Sequence, residues 1–306
     1  MKVKMYPMNQ SPLYRLRKKT DLEQLLGLEA GTLRHEICLD HQYSVFYIPK
    51  DDGGRRTVVN PKGKLAIQVQ RALFKYLNRI ERPWWVKSGR KGESYITNAA
   101  THIDHPYGMK SDVSSFYDSV SYNRIRYFFR EKLEMSPDLA EIMTRMVTYK
   151  RHLPTGGRAS MLIAYFSYEE MVRKIYRAAT ERKIIFTLYV DDLSFSADKR
   201  IEAGFFDEVS RIVREYGLTA KWKKTKIYNN GVYRKYTGVG VKDGKMVLPN
   251  DRRRDIVKCF KEHQKTPENV RLLVSLNGKL NAARQIEPNI FPQIYGYVRK
   301  RNKSCS

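Results

Sequence analysis

The stretch IIFTLYVDDLSFSA, residues 184–197, places two apolar, β-rich runs on either side of a pair of aspartates. Apolar runs of this length that flank a polar turn predict a β-hairpin, with IIFTL and LSFSA as its strands. The turn would hold Asp191 and Asp192 at its exposed tip. A pair of aspartates in a turn is common by itself. The nearly continuous apolar flanks nevertheless indicate a hairpin within a buried sheet rather than a surface loop.

A further carboxylate is predicted at a strand end upstream, in MKSDVSSFYDSV at residues 109–120. Residues 107–113 are predicted to form a strand, near whose end Asp112 lies. Three carboxylates without a nearby histidine or cysteine suit hard cations such as Mg²⁺, and Mn²⁺ could substitute. Two such ions about 3.5–4 Å apart can hold both the attacking and the leaving oxygen of a phosphoryl transfer. We therefore predict a two-metal site at Asp112, Asp191 and Asp192.

The predicted ligands have different roles in this site. Asp112 and Asp191 would bridge the two ions, and Asp192 would be a supporting ligand. The backbone carbonyl of Val113 is a further candidate ligand. Asp118 also lies nearby in the sequence, but a solvated aspartate at the start of a helix is its simpler interpretation. One ion would activate the attacking hydroxyl, and the other would neutralise the leaving group.

The charge composition indicates a polyanionic partner. Lysine and arginine number 58 against 32 aspartates and glutamates, which gives a formal net charge of +26. Such a surplus repels itself in a compact fold, and nucleic acid would neutralise it with release of counterions. The 21 tyrosines suit stacking on unpaired bases and argue against a simple basic scaffold. A ribosome-associated or membrane-surface protein is the alternative.

The cysteines and the apolar runs indicate a cytoplasmic location. Cys38, Cys259 and Cys305 are too far apart for a disulfide framework or a metal site, which fits a reducing compartment. The N-terminus lacks the apolar stretch of a signal peptide. The longest apolar run, residues 161–166, is too short to cross a bilayer. We therefore expect no membrane partner.

Helix and strand signals alternate along the chain and predict an α+β fold. A hairpin is expected at residues 43–61, because Asp-Gly and Gly-Gly in its centre supply the positive φ of a tight turn. Helices are expected at 21–37, 65–80, 123–149, 161–179 and 205–216, and again from residue 250 onwards. Further short strands are expected at 226–228, 233–241 and 246–248.

Five blocks, in this order and spacing, resemble those of reverse transcriptases. The blocks are the fingers hairpin YIPKDDGGRRTVVNP at 47–61, the first catalytic block DVSSFYDSV at 112–120, LPTGG at 153–157 for LPQG, YVDD at 189–192 for YxDD, and the later palm block YGLTAKWKKTKI at 216–227. The resemblance covers about residues 35–250. It implies a right-hand polymerase, whose palm is an antiparallel sheet backed by helices. The expected domains are N-terminal helices and fingers at 1–105, a palm at 106–249 with a fingers segment at about 123–155, and a basic helical thumb at 250–306.

The resemblance also implies where a dNTP would bind. Eight residues would contact it, namely Lys50, Arg55, Arg56, Phe116, Tyr117, Thr155, Gly156 and Lys224. The basic residues of the hairpin would grip the triphosphate, since arginine binds phosphate oxygens bidentately. The ring of Tyr117 would lie under the sugar and exclude a 2′-OH, and Lys224 would protonate the leaving pyrophosphate. Solvated charges, a core aromatic residue and an ordinary turn are the plainer interpretations.

Two more elements resemble those of bacterial retron reverse transcriptases, TNAATH at 97–102 and KYTGVGV at 235–241. This resemblance implies a dedicated structured non-coding RNA of the msr–msd type as template and primer. Synthesis would start from an RNA 2′-OH and leave a branched RNA–DNA product, msDNA. A role in anti-phage defence with a separate effector protein is also implied. The chain departs from the pattern at Thr155, where the family has Gln, at Arg158, and at Tyr236, where Val is usual.

Two alternatives stay open. One is another stand-alone bacterial reverse transcriptase of the group II intron, diversity-generating or abortive-infection type. The other is a catalytically silent RNA-binding protein, which the intact carboxylate trio argues against.

Nine residues are predicted to contact RNA or primer, namely Asn98, His102, Thr237, Gly238, Arg252, Arg253, Arg254, Lys258 and Lys261. The first four belong to the retron-like elements, and His102 is equally interpretable as a structural histidine. The others lie on the predicted outward face of the first tail helix. Phe291, Tyr295 and Tyr297 further along the tail would add stacking surfaces. The tail is therefore predicted to select the RNA.

Overall fold

The computed structural model describes residues 4–34, 38–49, 53–221 and 225–304, in which helices and antiparallel strands alternate. The predicted α+β fold is confirmed. The α-helices are α1 (Lys19–Leu26), α2 (Lys64–Leu77), α3 (Tyr95–Ala100), α4 (Phe116–Ser119), α5 (Tyr122–Tyr127), α6 (Pro137–Val147), α7 (Ser160–Ser167), α8 (Glu169–Glu181), α9 (Ala203–Glu215), α10 (Asn250–Lys265), α11 (Val270–Ile286) and α12 (Pro292–Ser304). The strands are β1 (Tyr43–Pro49), β2 (Arg55–Pro61), β3 (Tyr107–Asp112), β4 (Ile185–Tyr189), β5 (Asp192–Ala197), β6 (Lys226–Tyr228), β7 (Arg234–Tyr236), β8 (Val239–Lys242) and β9 (Lys245–Val247).

The strands in these ranges form three antiparallel sheets. β1 and β2 pair alone, as the predicted hairpin at residues 43–61. The central sheet has the order β4-β5-β3-β6, so that β3 lies beside β5 although the two are distant in sequence. β7, β8 and β9 form a separate meander. The central sheet therefore places the two carboxylate-bearing segments on neighbouring strands.

The buried apolar side chains form two separate cores. The first core packs α1, α2 and the helices from α4 to α9 around the central sheet. The second core joins β7 and β8 to the helices α10, α11 and α12. We call β7–β9 together with α10–α12 the C-terminal unit. Two residues of α3, Ile96 and Ala99, also belong to the second core. The predicted domain boundary at residue 250 separated β7–β9 from the tail helices, whereas the apolar contacts group them together.

Three predicted helices are shorter or interrupted. The helix predicted at 21–37 ends at Leu26, because Gly27 takes a left-handed conformation with φ of 67° and caps it. The helix predicted at 123–149 is divided by a π-helical turn at Phe128–Lys132 and by Glu134, whose φ is 49°. The helix predicted at 161–179 breaks at Tyr168, which leaves the helical conformation between α7 and α8. Residues 35–37 lie outside the described ranges.

The strand predicted at 233–241 is two strands joined by a tight turn. Thr237 and Gly238 form this turn with φ of 45° and 82°, and they reverse the chain between β7 and β8. Gly238 is the sequence signal for this reversal, but the positive φ of the β-branched Thr237 is not expected from the sequence. Among the described residues, no helix has both the length and the apolar character needed to cross a membrane.

Candidate active site

The tip of the β4–β5 hairpin carries the aspartate pair, as predicted. Tyr189 and Asp192 are register partners, so a two-residue turn of Val190 and Asp191 joins the strands. Val190 has a φ of 60°, a conformation that costs a non-glycine residue about 1–3 kcal/mol. The buried strands on either side hold this strained turn in place. Such strain is typical of functional sites.

Asp112 and Asp192 are register partners on the neighbouring strands β3 and β5. Directly opposed residues of an antiparallel pair share one face of the sheet, with Cβ atoms about 4.5–5.5 Å apart. The side chain of Asp191 forms a hydrogen bond with that of Asp112. The fold thus brings Asp112 next to the consecutive residues Asp191 and Asp192, which lie much later in the sequence.

The electrostatics of this cluster are unfavourable without a cation. Burial, and then the charges of Asp112 and Asp192, raise the pKa of Asp191 to about 7. Desolvation disfavours the charged form, and like charges close by do the same. The cluster therefore retains a proton near neutral pH unless positive charge is supplied. This is the behaviour expected of carboxylates that hold metal ions.

The chemistry of the donors fits the predicted magnesium ions. Carboxylate oxygens are preferred ligands of hard divalent cations, and a cation would relieve the repulsion around Asp191. Within the described ranges, no three acidic, histidine or cysteine side chains already surround one point as metal ligands do. The donors fit by type and charge, and their coordinating arrangement is not preformed.

Backbone hydrogen bonds hold the chain on both sides of Asp112. The Lys221 N–H donates to the Asp112 carbonyl at 2.7 Å, and the Val113 N–H donates to the Asp191 carbonyl at 3.3 Å. The second bond joins the end of β3 to the hairpin tip. The role of the Val113 carbonyl as a metal ligand stays a prediction. Lys224 lies outside the described residues, so its role also stays a prediction.

Tyr117 lies beside the carboxylates, and Phe116 lies beneath it. Burial, followed by the charge of Asp191, raises the pKa of the Tyr117 hydroxyl to about 12. Phe116 is 7% exposed, and its ring packs against Tyr117 at 5.7 Å and against Tyr168 at 6.2 Å. The prediction that Phe116 contacts the nucleotide is therefore corrected: its ring supports Tyr117, which keeps a partly exposed face.

The LPTGG block is hydrogen-bonded to the β1–β2 hairpin. The Val59 N–H donates to the Thr155 hydroxyl at 2.9 Å, and the Gly156 N–H donates to the Val59 carbonyl at 2.8 Å. A Cβ on Gly156 would lie 3.0 Å from that carbonyl and 2.6 Å from Asn60 Oδ1. Contact with the hairpin therefore accounts for the glycine, whereas the sequence suggested close approach to a nucleotide. The sequence signal that was missed is the match between the polar groups of the LPTGG block and those of the β2 backbone at Val59.

The open end of the β1–β2 hairpin is basic and exposed. Arg55 and Arg56 pair with Pro49 and Ile48 and are both exposed. Lys50 lies outside the described residues, so its predicted contact is neither supported nor opposed. Four consecutive apolar residues of β1, residues 45–48, are between 42% and 63% exposed. This surface was not singled out in the sequence and is available for contact with a base pair or a template strand.

His102 is an internal residue, which corrects the prediction that it contacts RNA. It is fully buried, and its ring nitrogens bond the hydroxyls of Ser196 at 2.8 Å and Thr187 at 2.7 Å. Burial, and then nearby positive charges, lower its pKa to about 3. A neutral imidazole with two hydroxyl partners is satisfied inside the protein and offers nothing to a nucleic acid. The structural interpretation of this histidine is correct.

Asn98 is also fully buried, and its predicted RNA contact is wrong for the same reason. Its amide donates to Ser194 at 3.4 Å and to Thr237 at 3.3 Å. The Thr237 hydroxyl in turn donates to the Tyr95 carbonyl at 2.7 Å. The Thr237 side chain is thus also engaged internally, which corrects its assignment as an RNA contact. For Gly238, in the same turn, primer contact stays a prediction.

Arg252 and Arg253, two of the five basic residues predicted on α10, contact residues outside that helix. Arg253 forms a bidentate ion pair with Glu287 at 2.5 and 2.7 Å and also donates to the Leu248 carbonyl. This ion pair links α10 to the end of α11. Because the Arg253 side chain is 37% exposed and lines the groove on α10, its RNA contact stays a prediction. The guanidinium of Arg252 lies 5.1 Å from the centre of the Tyr95 ring. It is only half-buried, so contact with a nucleic acid stays a prediction for this residue.

The other three basic residues on α10 are exposed and border a groove. Its volume is about 590 Å³. Its lining is mainly basic, with one acidic and two apolar side chains; the residues are Arg253, Arg254, Lys258, Lys261, Lys265, Glu262, Val257 and Phe291. Phe291 thus lies in the groove on α10, where the sequence predicted a stacking surface for RNA. Tyr297 instead turns inward, where its hydroxyl bonds His263 at 3.0 Å, so its predicted stacking role is wrong.

Comparison with known proteins gives concordant matches. A family model described as "Reverse transcriptase (RNA-dependent DNA polymerase)" matches residues 48–242. The chain is similar to the retron Se72 reverse transcriptase of Salmonella heidelberg (strain 579083-10), with 26% identity over 77% of this chain and 64% of that protein. It is also similar to the retron Ec86 enzyme of Escherichia coli, with 25% identity over 77% of this chain and 75% of that protein. The resemblance to retron enzymes is confirmed. The match to the Salmonella relative leaves about a third of that protein uncovered.

Solved structures with some likeness include telomerases. The apo telomerase of Candida tropicalis, truncated from its C-terminal domain, has a TM-score of 0.49 and 13% identity over 70% of this chain and 56% of that chain. The telomerase of Candida albicans, in complex with a TWJ fragment of telomeric RNA, has a TM-score of 0.49 and 13% identity over 88% of this chain and 57% of that chain.

Proposed function

Because this chain belongs to the reverse transcriptase family, we propose that it is an RNA-directed DNA polymerase that uses Asp112, Asp191 and Asp192. The observation that carries the proposal is the pairing of Asp112 with Asp192 across β3 and β5, beside an Asp191 whose pKa is raised to about 7. A cluster in which Asp112 is buried and Asp191 and Asp192 are partly buried is unfavourable for a protein that only binds RNA. It suits one that gathers cations around phosphates.

The three carboxylates would hold two Mg²⁺ ions, for which Mn²⁺ would substitute. Asp112 and Asp191 would bridge them, with Asp192 and the Val113 carbonyl as supporting ligands. When bound, the ions would lower the pKa of the primer hydroxyl and neutralise the leaving pyrophosphate. The protein's own part is to hold the donors at two strand ends, in a buried setting where charges interact more strongly than in water.

The incoming dNTP would bind between the hairpin and the palm. Arg55 and Arg56 would contact its phosphates, and the bonds between Val59 and the LPTGG block would fix the hairpin relative to the active site. The ring of Tyr117, protonated and next to Asp191, would lie under the sugar. A ribose 2′-OH would then collide with the ring, so deoxynucleotides would be preferred.

The likeness to retron reverse transcriptases supports a proposal about the RNA that this enzyme copies. We propose that a dedicated structured RNA of the msr–msd type is both template and primer, and that a 2′-OH of this RNA starts synthesis of branched msDNA. The enzyme would work in the cytoplasm, and its product would act with a separate effector in anti-phage defence. Sequencing the nucleic acid that co-purifies with the protein from its host tests this. A branched RNA–DNA molecule is expected, and an unbranched or random RNA population would contradict it.

The catalytic assignment is tested by primer extension with Mg²⁺. Asp191→Asn combined with Asp192→Asn should abolish extension, because removal of metal ligands costs far more than the ~1.4 kcal/mol of one decade in rate. Asp118→Asn is the matched control, since Asp118 is exposed and only six residues from Asp112. A folded double variant with near-normal extension would show that the carboxylates are not catalytic.

The C-terminal tail would select the RNA. The α10 groove offers positive charge for phosphates and the Phe291 ring for an unpaired base, which are the chemistries of RNA recognition. Exchanging residues 250–306 with those of another retron-like enzyme tests this. The chimera should start synthesis on the tail donor's RNA. If it uses only the palm donor's RNA, recognition lies outside the tail.

A further inference from the structure

We infer that Asn98, His102 and Thr237 are positioning residues that fix the C-terminal unit relative to the catalytic carboxylates, and thereby set how long the enzyme stays on its primer–template duplex. The inference rests on the proposed polymerase function. It assigns both retron-like elements, TNAATH and KYTGVGV, to one internal contact between α3, the central sheet and the C-terminal unit, which we call the joint. The sequence suggested two separate RNA contacts instead.

The joint lies between the two apolar cores. Ile96 and Ala99 of α3 are buried in the second core, with β7, β8 and the tail helices. Asn98 and His102, on and just after the same helix, bond the central sheet. The first core contains none of the residues of α3. α3 therefore joins the C-terminal unit by apolar packing and the palm by hydrogen bonds.

The hydroxyl groups that form hydrogen bonds with Asn98 and His102 lie on the same face of the central sheet as Asp192. Asp192, Ser194 and Ser196 alternate along β5, so they share one face, and Thr187 is the register partner of Ser194. Ser194 is therefore about 7 Å along the strand from Asp192. All three hydroxyl residues are almost completely buried. The joint thus begins at Ser194, two residues along β5 from the proposed catalytic carboxylate of Asp192.

Thr237 connects this joint to the tail helices. Its hydroxyl accepts from the Asn98 amide and donates to the Tyr95 carbonyl. The next residue, Gly238, lies so close to Arg252 that a Cβ there would be 2.7 Å from a guanidinium nitrogen. Arg252 itself covers the Tyr95 ring. The β7–β8 turn and the first turn of α10 are therefore both held against α3.

Directional bonds are what make this contact a positioning device. Apolar surfaces tolerate small sliding movements, whereas a buried amide or imidazole is satisfied in one arrangement only. The His102 ring also stacks on Tyr236 of β7, with centroids 4.7 Å apart. A shift of α3 along the sheet would break the bonds of Asn98 and His102, and a shift of the C-terminal unit relative to α3 would break those of Thr237.

The test compares Thr237→Val, which removes the hydroxyl at nearly constant volume, with Thr237→Ser, which keeps it. Thr144→Val is the matched control, because it also removes a threonine hydroxyl that bonds a backbone carbonyl, that of Ala140 inside α6; Thr144 is fully buried, whereas Thr237 is partly exposed. Thr237→Val should weaken binding of an RNA–DNA primer–template about tenfold in fluorescence anisotropy, the factor expected when a buried hydrogen-bond partner is removed. The number of nucleotides added per binding event should fall in proportion. The rate of a single addition on saturating duplex should change less than about twofold.

Thr237→Ser should restore both duplex binding and product length. If Thr237→Val and Thr144→Val have equal effects at equal loss of thermal stability, the joint has no positioning role. If single addition falls as much as duplex binding, Thr237 acts in the chemistry and the inference is wrong. Anisotropy measures duplex binding without catalysis. A protein without polymerase activity would therefore overturn the proposed function, while the binding data would still test the positioning role of Thr237.

Discussion

The environment of the Asp191 side chain disfavours the charged form of its carboxyl group. Its pKa of about 7 in the folded protein is above its ordinary value of 3.8. The folded state therefore holds a proton that the unfolded chain releases between about pH 4 and 7. The metal-free protein should lose stability as the pH rises through this window. Asp191→Asn should remove that loss and raise the melting temperature at pH 8, by about 2–4 °C for each kcal/mol of repulsion relieved.

Thermal unfolding in EDTA between pH 4 and pH 8 measures this effect. Asp118→Asn should leave the pH profile of the wild type unchanged, because its side chain is exposed. Added Mg²⁺ should stabilise the wild type more than Asp191→Asn. A wild-type profile that is flat across the window would show that the carboxylates do not repel one another.

Tyr117 is the residue through which sugar selection is expected. Tyr117→Ala should raise incorporation of rNTP relative to dNTP by about tenfold or more, because the ring that blocks the 2′-OH is removed. Tyr117→Phe keeps the ring and should keep the selectivity, since the hydroxyl is not part of the block. Single-nucleotide extension with each substrate measures the ratio. An unchanged ratio in Tyr117→Ala would exclude this ring as the gate.

At the scale of elements, the contact between the LPTGG block and the β1–β2 hairpin should control nucleotide binding. Gly156→Ala would place a methyl group 3.0 Å from the Val59 carbonyl and push the hairpin away. The KM for dNTP should rise about tenfold, while kcat changes less, because the carboxylates are untouched. Gly204→Ala is the control, since its Cβ would meet nothing within 4 Å. Equal kinetics for the two variants would show that the contact does not serve the nucleotide site.

Local patterns predict the elements of this fold better than their contacts. The apolar runs IIFTL and LSFSA predict the catalytic hairpin, because burial of both faces of a strand leaves a nearly continuous apolar signal. The Thr237–Gly238 reversal was missed because the turn also needs a positive φ at Thr237, which a β-branched residue rarely adopts. The internal roles of Asn98 and His102 could not be derived either. Their partners, Ser194, Ser196 and Thr187, are small hydroxyl residues that carry no signal of which helix will cover them.

At the scale of the whole molecule, the charge of +26 should make RNA binding strongly dependent on salt. Replacing Arg254, Lys258 and Lys261 by glutamine should reduce the slope of log K against log salt by about one unit for each phosphate that the protein no longer neutralises. Titrations of the cognate RNA at several salt concentrations measure this slope.

The control for this experiment removes the same charge from a distant surface. Lys64, Arg71 and Lys75 are exposed on the outer side of α2, opposite its core-facing residues. Their replacement by glutamine should lower the slope less than the α10 changes do. If the two variants behave alike, the RNA responds to net charge only, and α10 is not a specific surface.

The division into two cores has a consequence for synthesis of the protein on the ribosome. Ile96 and Ala99 emerge early, but Val239, a partner in the same core, lies 140 residues after Ala99. At about 5–20 residues per second, the apolar side of α3 waits roughly 7–28 s for its cover. During that interval the residues of the first core are synthesised, up to Leu218, while α3 presents uncovered apolar surface. The helix that positions the finished enzyme is therefore also a segment exposed to aggregation during translation.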